Sequence, residues 1–460
     1  MGQTLSEPIV DKHTEAGSDN RVLYAVSAMQ GWRLSMEDAH ATILKLLDDE
    51  NNDTGASFFG VYDGHGGPNS ATFSGQELHR HIVRSPSFAK NEYEQAIKEG
   101  FLEADKHLRE NLEYRAEYSG CTAVCGLITR DNVLYVGNAG DSRAVLSSNG
   151  RAVPMSIDHK PMNTQEKERI VKAGGFIEFG RVNGNLALSR AIGDFEFKQN
   201  DNLPPEEQIV TADPEITKHQ LTPEDDFIVL ACDGIWDCLP SQFVIDYVHK
   251  HLALGMSPSA VCEEIMNDCL ASGRDNTGVG CDNMTIIIVG LLHGKTPDEW
   301  QAALTERFNE RHPSGVGSPR TLSLELTAEK AQFAKEQAQS DMEGMLNSMD
   351  EEGEDDGQIS PELHTDDDHP VIEAIRQSLA PNSSIDKSIL SHFVSHTAED
   401  VEYDTSVEPK EATEKISEVT ENPATKSEAA ETKAASPTPI PAKQEEEEQE
   451  KTQPSQSTTN

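Results

Sequence analysis

The chain has no run of 18 apolar residues, no charged and apolar leader at its start, and no cysteine beyond Cys281. The first two absences argue against a membrane-spanning helix and a secretory signal. Its seven cysteines are an odd number without framework spacing, and Cys121, Cys125 and Cys232 sit in apolar runs. They read as buried reduced thiols, which makes the chain a soluble intracellular protein rather than a disulfide scaffold. Basic residues are also scarce: 38 Lys and Arg face 81 Asp and Glu, a net charge of −43. No basic surface is available to follow a phosphodiester backbone, so nucleic acid is excluded as a partner.

Aromatic residues run out before the chain does. After Phe308 only Phe333, Phe393 and Tyr403 occur, and residues 301–460 carry 35 acidic against 13 basic side chains. Such a stretch cannot offset its conformational entropy by burying apolar surface. "SMDEEGEDDG" (348–357), "HTDDDHP" (364–370) and "SPTPIPAKQEEEEQE" (436–450) belong to it. The expected organisation is a folded domain over 1–295, a short helix over 296–312 and a largely disordered acidic tail over 313–460. Within the tail, 326–349 and 369–380 have weak helical character. The start "MGQTLS" fits the N-myristoylation pattern at Gly2. One acyl chain gives marginal, reversible attachment, so no stable membrane insertion is expected.

What is present in the first 295 residues is a series of β-branched and aromatic runs. "LYAVSAMQ" (23–30), "SFFGVYD" (57–63), "CTAVCGLIT" (121–129), "VLYVGNAG" (133–140), "RAVLSS" (143–148), "FIVLACD" (227–233) and "MTIIIVGLL" (284–292) read as strands. Helical periodicity appears at 91–114, 242–254 and 258–273, with shorter helices at 164–175 and 296–312. Strands come in pairs and helices in groups, which favours antiparallel or mixed sheets covered by helices over a repeating βα pattern. The near miss "GLLHGKT" (290–296) has three residues between its glycines where a phosphate loop needs four, and Pro297 follows in place of a helix.

Several strands end in carboxylates beside small residues: Asp63 in "VYDGHGG", Asp233 in "LACDGIWD", Asp282 in "GCDNMTIII" and Asp141 in "GNAGDSR". One such Asp is usually a turn former. Four at strand ends would repel one another unless a cation neutralised them. An all-oxygen set suits Mg2+ or Mn2+, and no His/Cys arrangement fits zinc. The Gly64 carbonyl could approach such an ion closely, because glycine has no Cβ. His65 would sit beside an activated water rather than on the metal. In "MQGWRLSMEDAH" (29–40), Arg33 supplies a fork suited to a phosphate dianion, and Glu37 and Asp38 would hold waters around the ion.

These blocks, with "SGCTAV", "GNAGDSRAVL", "DHKP", "RVNGNLALSRAIGDF", "ACDGIWD" and "DNMTIIIV" in order over 21–292, resemble the metal-dependent serine/threonine protein phosphatases of the 2C family. The resemblance is to its eukaryotic, fungal-type members with long acidic tails. It implies an α+β fold, a four-layer αββα sandwich of two mostly antiparallel sheets, with a binuclear centre of two Mg2+ or Mn2+ ions between them. It also implies that Asp63 bridges both ions and that Asp233 and Asp282 bind the first. Glu37 and the Gly64 carbonyl serve the second, Asp38 holds waters, and Asp141 belongs to a third, weaker ion. Residues 166–195 correspond to a flap that helps choose substrates. The expected reaction is hydrolysis of phosphoserine or phosphothreonine by a metal-activated water. Arg33 would bind the phosphoryl oxygens and His65 would serve as general acid. Phosphorylated signalling proteins, protein kinases among them, are the partners this resemblance implies, for a monomer in cytoplasm and nucleus. The rival reading is a silent scaffold that binds phosphoproteins without turnover; loss of a ligand carboxylate would signal it, and none is lost.

Overall fold

The computed structural model describes residues 4–47, 52–111, 119–273, 278–311 and 332–333. Gly2, nearly all of 313–460, the weak helix expected over 369–380 and all of the one expected over 326–349 except Gln332 and Phe333, which are helical, lie outside the described residues. Two antiparallel sheets form the centre. The six-stranded sheet runs, in spatial order, through Thr4–Ser18, Val22–Arg33, Met284–Leu291, Asp225–Ala231, Arg143–Ser148 and Arg151–Pro154. The five-stranded sheet runs through Glu215–Gln220, Val133–Ala139, Ala123–Ile128, Ser57–Tyr62 and Ala39–Ile43.

The two-residue side-chain period of a strand sorts these runs into layers. Phe59 and Val61 face the other sheet and join Val124, Val136, Ile228, Leu230, Ile287 and Val289 in the core between the sheets. Their neighbours Phe58 and Tyr62 turn outward, onto the helices Asn69–Arg84 and Tyr93–Glu110. On the other side Val229, Ile286 and Ile288 meet Ser241–Ala253 and Pro258–Cys269. The result is the expected four-layer α+β sandwich. Strands buried on both faces explain why the runs read as continuously apolar rather than alternating.

The helix Pro297–Arg311 adds Trp300 and Leu304 to the same outer core. Trp300 Nε1 donates to the Asp226 carbonyl at 3.1 Å, and Arg307 pairs with the buried Asp226 carboxylate. Pro297 therefore opens the helix expected over 296–312, and only the reading of Pro297 as standing in place of a helix after "GLLHGKT" is corrected. Proline is at home at the first helical position, where its missing N–H is no loss. Among the other helices, the one expected over 91–114 spans Tyr93–Glu110. The one expected over 258–273 ends at Cys269, short of Gly273, where the chain leaves helical geometry at Leu270. In the expected flap, Thr164–Lys172 is helical, and Glu166 is buried between Arg169 Nη1 and Arg190 Nη2, each at 2.6 Å. Burial alone would raise the Glu166 carboxyl; these two guanidiniums and the Ser189 hydroxyl hold it at about 2 instead.

Candidate active site

The candidate site is built where the strands end, and each main-chain element has a local reason to stop there. Asp63 follows Ser57–Tyr62, and its backbone is clipped to Thr122: the Thr122 N–H donates to the Asp63 carbonyl at 2.9 Å, and the Asp63 N–H donates to Thr122 Oγ1 at 3.2 Å. Gly64 then passes so close to the next segment that a Cβ there would lie 2.3 Å from the Glu37 carbonyl oxygen. No side chain fits, which answers why glycine follows the carboxylate. Glu37 is held by donors from the Ser35 hydroxyl at 2.6 Å and the Gly67 N–H at 3.1 Å.

Asn283 pins the loop that carries Glu37. Its side-chain amide donates to the carbonyls of Gln30 at 2.7 Å and Ser35 at 3.0 Å, and its Oδ1 accepts from the Glu37 N–H at 2.9 Å. The neighbouring Asp282 pairs with Arg33 Nη2 at 2.5 Å. Arg33 is 45% exposed at this rim and has no other side-chain partner among the described residues. Asp38 accepts from Thr285 Oγ1 at 2.7 Å.

Asp38 and Asp63 lie together, each offering an oxygen within 4.8 Å of the other and of Cys232 Sγ. Burial first, and then its acidic neighbours, push Asp63 well above the usual carboxylate range; the neighbours are Asp233, Asp38, Asp282 and Asp141. Burial and then Asp237, Asp141 and Asp282 do the same to Asp233. Asp38 is raised to about 7, again by burial ahead of Asp282. Buried oxygens Oδ1 of Asp38 and Oδ1 of Asp233 have no hydrogen-bond partner among the described residues. Crowded carboxylates with orphaned oxygens are what a divalent-cation site looks like before the cation is considered, so the residues fit the expected Mg2+ or Mn2+. Cys232 does not share that role. Burial raises its thiol well above the ordinary value, and its sulfur is taken by the Thr285 N–H at 3.2 Å.

His65 sits on a separate small sheet, in which Gly64–His65 and Ile192–Gly193 flank Gly120–Cys121. His65 and Gly193 both register against Gly120, which sets His65 beside Asp194. His65 Nε2 lies 2.8 Å and 2.9 Å from the two Asp194 oxygens. A Cβ on Gly120 would stand 2.2 Å from Asp194 Oδ2, so glycine there makes room for this pair. Burial pulls the imidazole down, but the Asp194 bond and the charges of Asp194, Asp141 and Glu37 outweigh it and leave His65 above its ordinary value.

All nine expected site residues thus converge on one end of the sandwich, although Asp141 differs in its surroundings. It is 4% exposed and already paired with Lys160, whose ammonium is raised by Asp141, Asp237 and Asp233 against its own burial. Sequence reasoning missed Asp194, Asn283, Lys160 and Asp237. Asp237 alone had a local signal: four residues after Asp233 in "DGIWD", it lies one helical turn on, with its N–H bonded to the Asp233 carbonyl at 2.8 Å.

Comparison with known proteins agrees with this geometry. The family described as Protein phosphatase 2C matches residues 22–278. A protein named Protein phosphatase 2C homolog 2 from Hypocrea jecorina is 54% identical over 312 residues, covering 67% of this chain and 71% of its own. Its namesake from Schizosaccharomyces pombe is 49% identical over 338 residues, 71% of this chain and 91% of its own. Among solved structures, a phosphatase from Toxoplasma gondii superposes with a TM-score of 0.53 at 24% identity, covering 61% of this chain and 96% of that one.

Proposed function

The chain belongs to the protein phosphatase 2C family and is a metal-dependent serine/threonine phosphatase, and from that premise we propose how its residues divide the work. The observation that carries the proposal is the convergence of Asp63, Asp233, Asp282 and Asp38 at one cleft, with unpartnered buried oxygens on two of them. Asp63, Asp233, Asp282, Glu37 and the Gly64 carbonyl would hold two divalent ions, Mg2+ or Mn2+, and Asp38 would orient water beside them. Such ions lower the pKa of a coordinated water from ~15.7 to about 7 and so supply an attacking oxygen at neutral pH. Asp141 would serve a third ion and hold it more weakly, because its carboxylate is already paired with the Lys160 ammonium.

Arg33, tethered through one nitrogen to Asp282, keeps the rest of its fork for the equatorial phosphoryl oxygens, where charge spreads in the transition state. His65 handles the proton. With Nε2 turned to Asp194, Nδ1 is the nitrogen left to protonate the departing serine or threonine oxygen. Alkoxides are poor leaving groups, so His65→Ala should slow hydrolysis of a phosphoserine peptide by ~10²-fold or more. Hydrolysis of an aryl phosphate with an acidic phenol should fall far less. Equal loss on both substrates removes His65 from this role.

Phosphorylated kinases are the substrates the family resemblance supports, and the net charge of −43 fits protein rather than nucleic-acid targets. A phosphothreonine peptide from a kinase activation segment should release phosphate with Mg2+ or Mn2+ and stop doing so in EDTA. Undiminished release after exhaustive chelation would refute the metal-based reading.

A further inference from the structure

Three consecutive residues zip the loop that carries Asp141 to a second segment of chain. Asp158 accepts from Arg143 Nε at 2.9 Å and Nη2 at 2.7 Å, His159 holds Gly140, and Lys160 pairs with Asp141 itself. The middle contact is a two-way clip. The Gly140 N–H donates to His159 Nδ1 at 3.2 Å, and the His159 N–H donates back to the Gly140 carbonyl at 3.0 Å. A backbone N–H can only donate, so Nδ1 carries the lone pair. The ring hydrogen then sits on Nε2, which lies 3.4 Å from Glu215 Oε2.

The two halves of the clip are not equivalent. The Gly140 carbonyl has a second donor in Asn138 Nδ2 at 3.1 Å. The buried Gly140 N–H has no acceptor but His159 Nδ1 among the described residues. Gly140 is also where the Asp141 loop touches the support of Asp63. A Cβ there would stand 2.6 Å from the Cβ of Thr122, the residue that clips the Asp63 backbone. The main chain of His159 belongs to the flap. Its carbonyl accepts from the Ser189 N–H at 3.2 Å and lies 2.9 Å from the Ser189 hydroxyl. That hydroxyl is 2.7 Å from Glu166 Oε2, the carboxylate set between Arg169 and Arg190. His159 is 2% exposed and serves both sides at once.

We propose that His159 is a positioning residue: it fastens the Asp141 loop to the flap, so that the carboxylate stays in place when Lys160 leaves it. This role rests on the reading of Asp141 as the ligand of a third, weaker ion. An ion at Asp141 must displace the Lys160 ammonium, and the loop then loses one of its three ties. The tie that remains next to Asp141 is the Gly140 clip. With it the loop is ordered before the ion arrives; without it, binding has to order the backbone as well, and affinity falls.

Two amide substitutions separate this role from simple space filling. Asparagine puts Oδ1 where Nδ1 stands, an acceptor for the Gly140 N–H, but is smaller than histidine. Glutamine fills more of the volume and carries its amide out toward the place of Nε2. In the chelated full chain, hydrogen exchange at the Gly140 amide should be at least tenfold faster in His159→Gln than in the parent, and within threefold of the parent in His159→Asn. With Mg2+ restored, His159→Gln should need at least fivefold more Mg2+ for half-maximal phosphopeptide turnover and recover kcat at saturation. His159→Asn should follow the parent's Mg2+ curve. The reverse order, with asparagine the worse replacement, would overturn the proposal. Parent-like Gly140 exchange or a parent-like Mg2+ requirement in His159→Gln would do the same. A parent indifferent to Mg2+ would instead fell the metal reading itself, so the two failures are told apart.

Discussion

Asp63→Asn should lower kcat/KM on a phosphopeptide by at least ~10³-fold, about 4 kcal/mol of transition-state stabilisation, while making the chelated protein more resistant to heat. The two effects share one cause. Asp63 is crowded by Asp233, Asp38, Asp282 and Asp141, and burial adds to the cost of its charge. An amide of the same shape removes that charge and keeps the clip to Thr122, which uses only the Asp63 backbone. The cleft loses a ligand that no neighbour replaces, so turnover fails at ordinary ion concentrations. Opposite signs in activity and stability distinguish a group kept for function from one kept for the fold. Kinetics in Mg2+ and melting curves in EDTA measure both, and a variant that melts lower than the parent, or turns over within tenfold of it, would contradict the argument.

The parts of the molecule that were legible in the sequence are those whose signal is local. Phe58, Phe59, Val61 and Tyr62 are all buried, and a strand covered on both faces writes itself as an unbroken apolar run. The strand Thr4–Ser18 escaped because it is an edge strand, largely exposed, whose Lys, Glu and Asp residues break any alternation. The helix Asn69–Arg84 escaped for another reason. Its inner face buries Ser70 and Ser74 beside Phe73, Leu78 and Ile82, so the apolar stripe is interrupted by small polar residues. Ser70 lies within 2.8 Å of Ser119 Oγ, and such hydroxyl pairs leave no periodic trace.

The site follows the same division. Asp63, Asp233 and Asp282 could be found because each abuts an apolar run that fixes it. Asp194 is 129 residues from His65 and meets it only through the register of two-residue strands around Gly120. Lys160 meets Asp141 from the far side of the hairpin Arg143–Ser148/Arg151–Pro154, and Asn283 reaches back to Gln30 and Ser35. These residues orient or neutralise the carboxylates, and their positions are set by tertiary packing alone.

The stabilisation that Mg2+ gives should therefore grow with pH. Asp38 and Asp237 are raised to about 7 and about 6, both by desolvation first, and burial followed by acidic neighbours also raises Asp63 and Asp233 well above the ordinary carboxylate range. A carboxylate whose folded pKa exceeds its unfolded value stabilises the fold fully below about pH 4, and that contribution is lost as pH rises through the folded pKa. In the chelated protein this loss runs upward from about pH 4 and is complete near pH 6 for Asp237 and near pH 7 for Asp38. Other groups titrate in that window with the opposite sign: His40, His79 and His81 are lowered by burial, so their contribution grows as pH rises through about 6.5. Glu166, held at about 2, is already fully ionised there. Comparing melting temperatures with Mg2+ and with EDTA at each pH cancels the distant histidines His40, His79 and His81 and isolates the cleft. At pH 5.5 an ion must displace protons from the cluster, and at pH 8 it meets charges that repel one another without it. The Mg2+-induced rise in Tm should be several degrees larger at pH 8 than at pH 5.5, and should shrink toward a constant small value in Asp63→Asn. A Mg2+ effect independent of pH would mean that the carboxylates do not share one cation site.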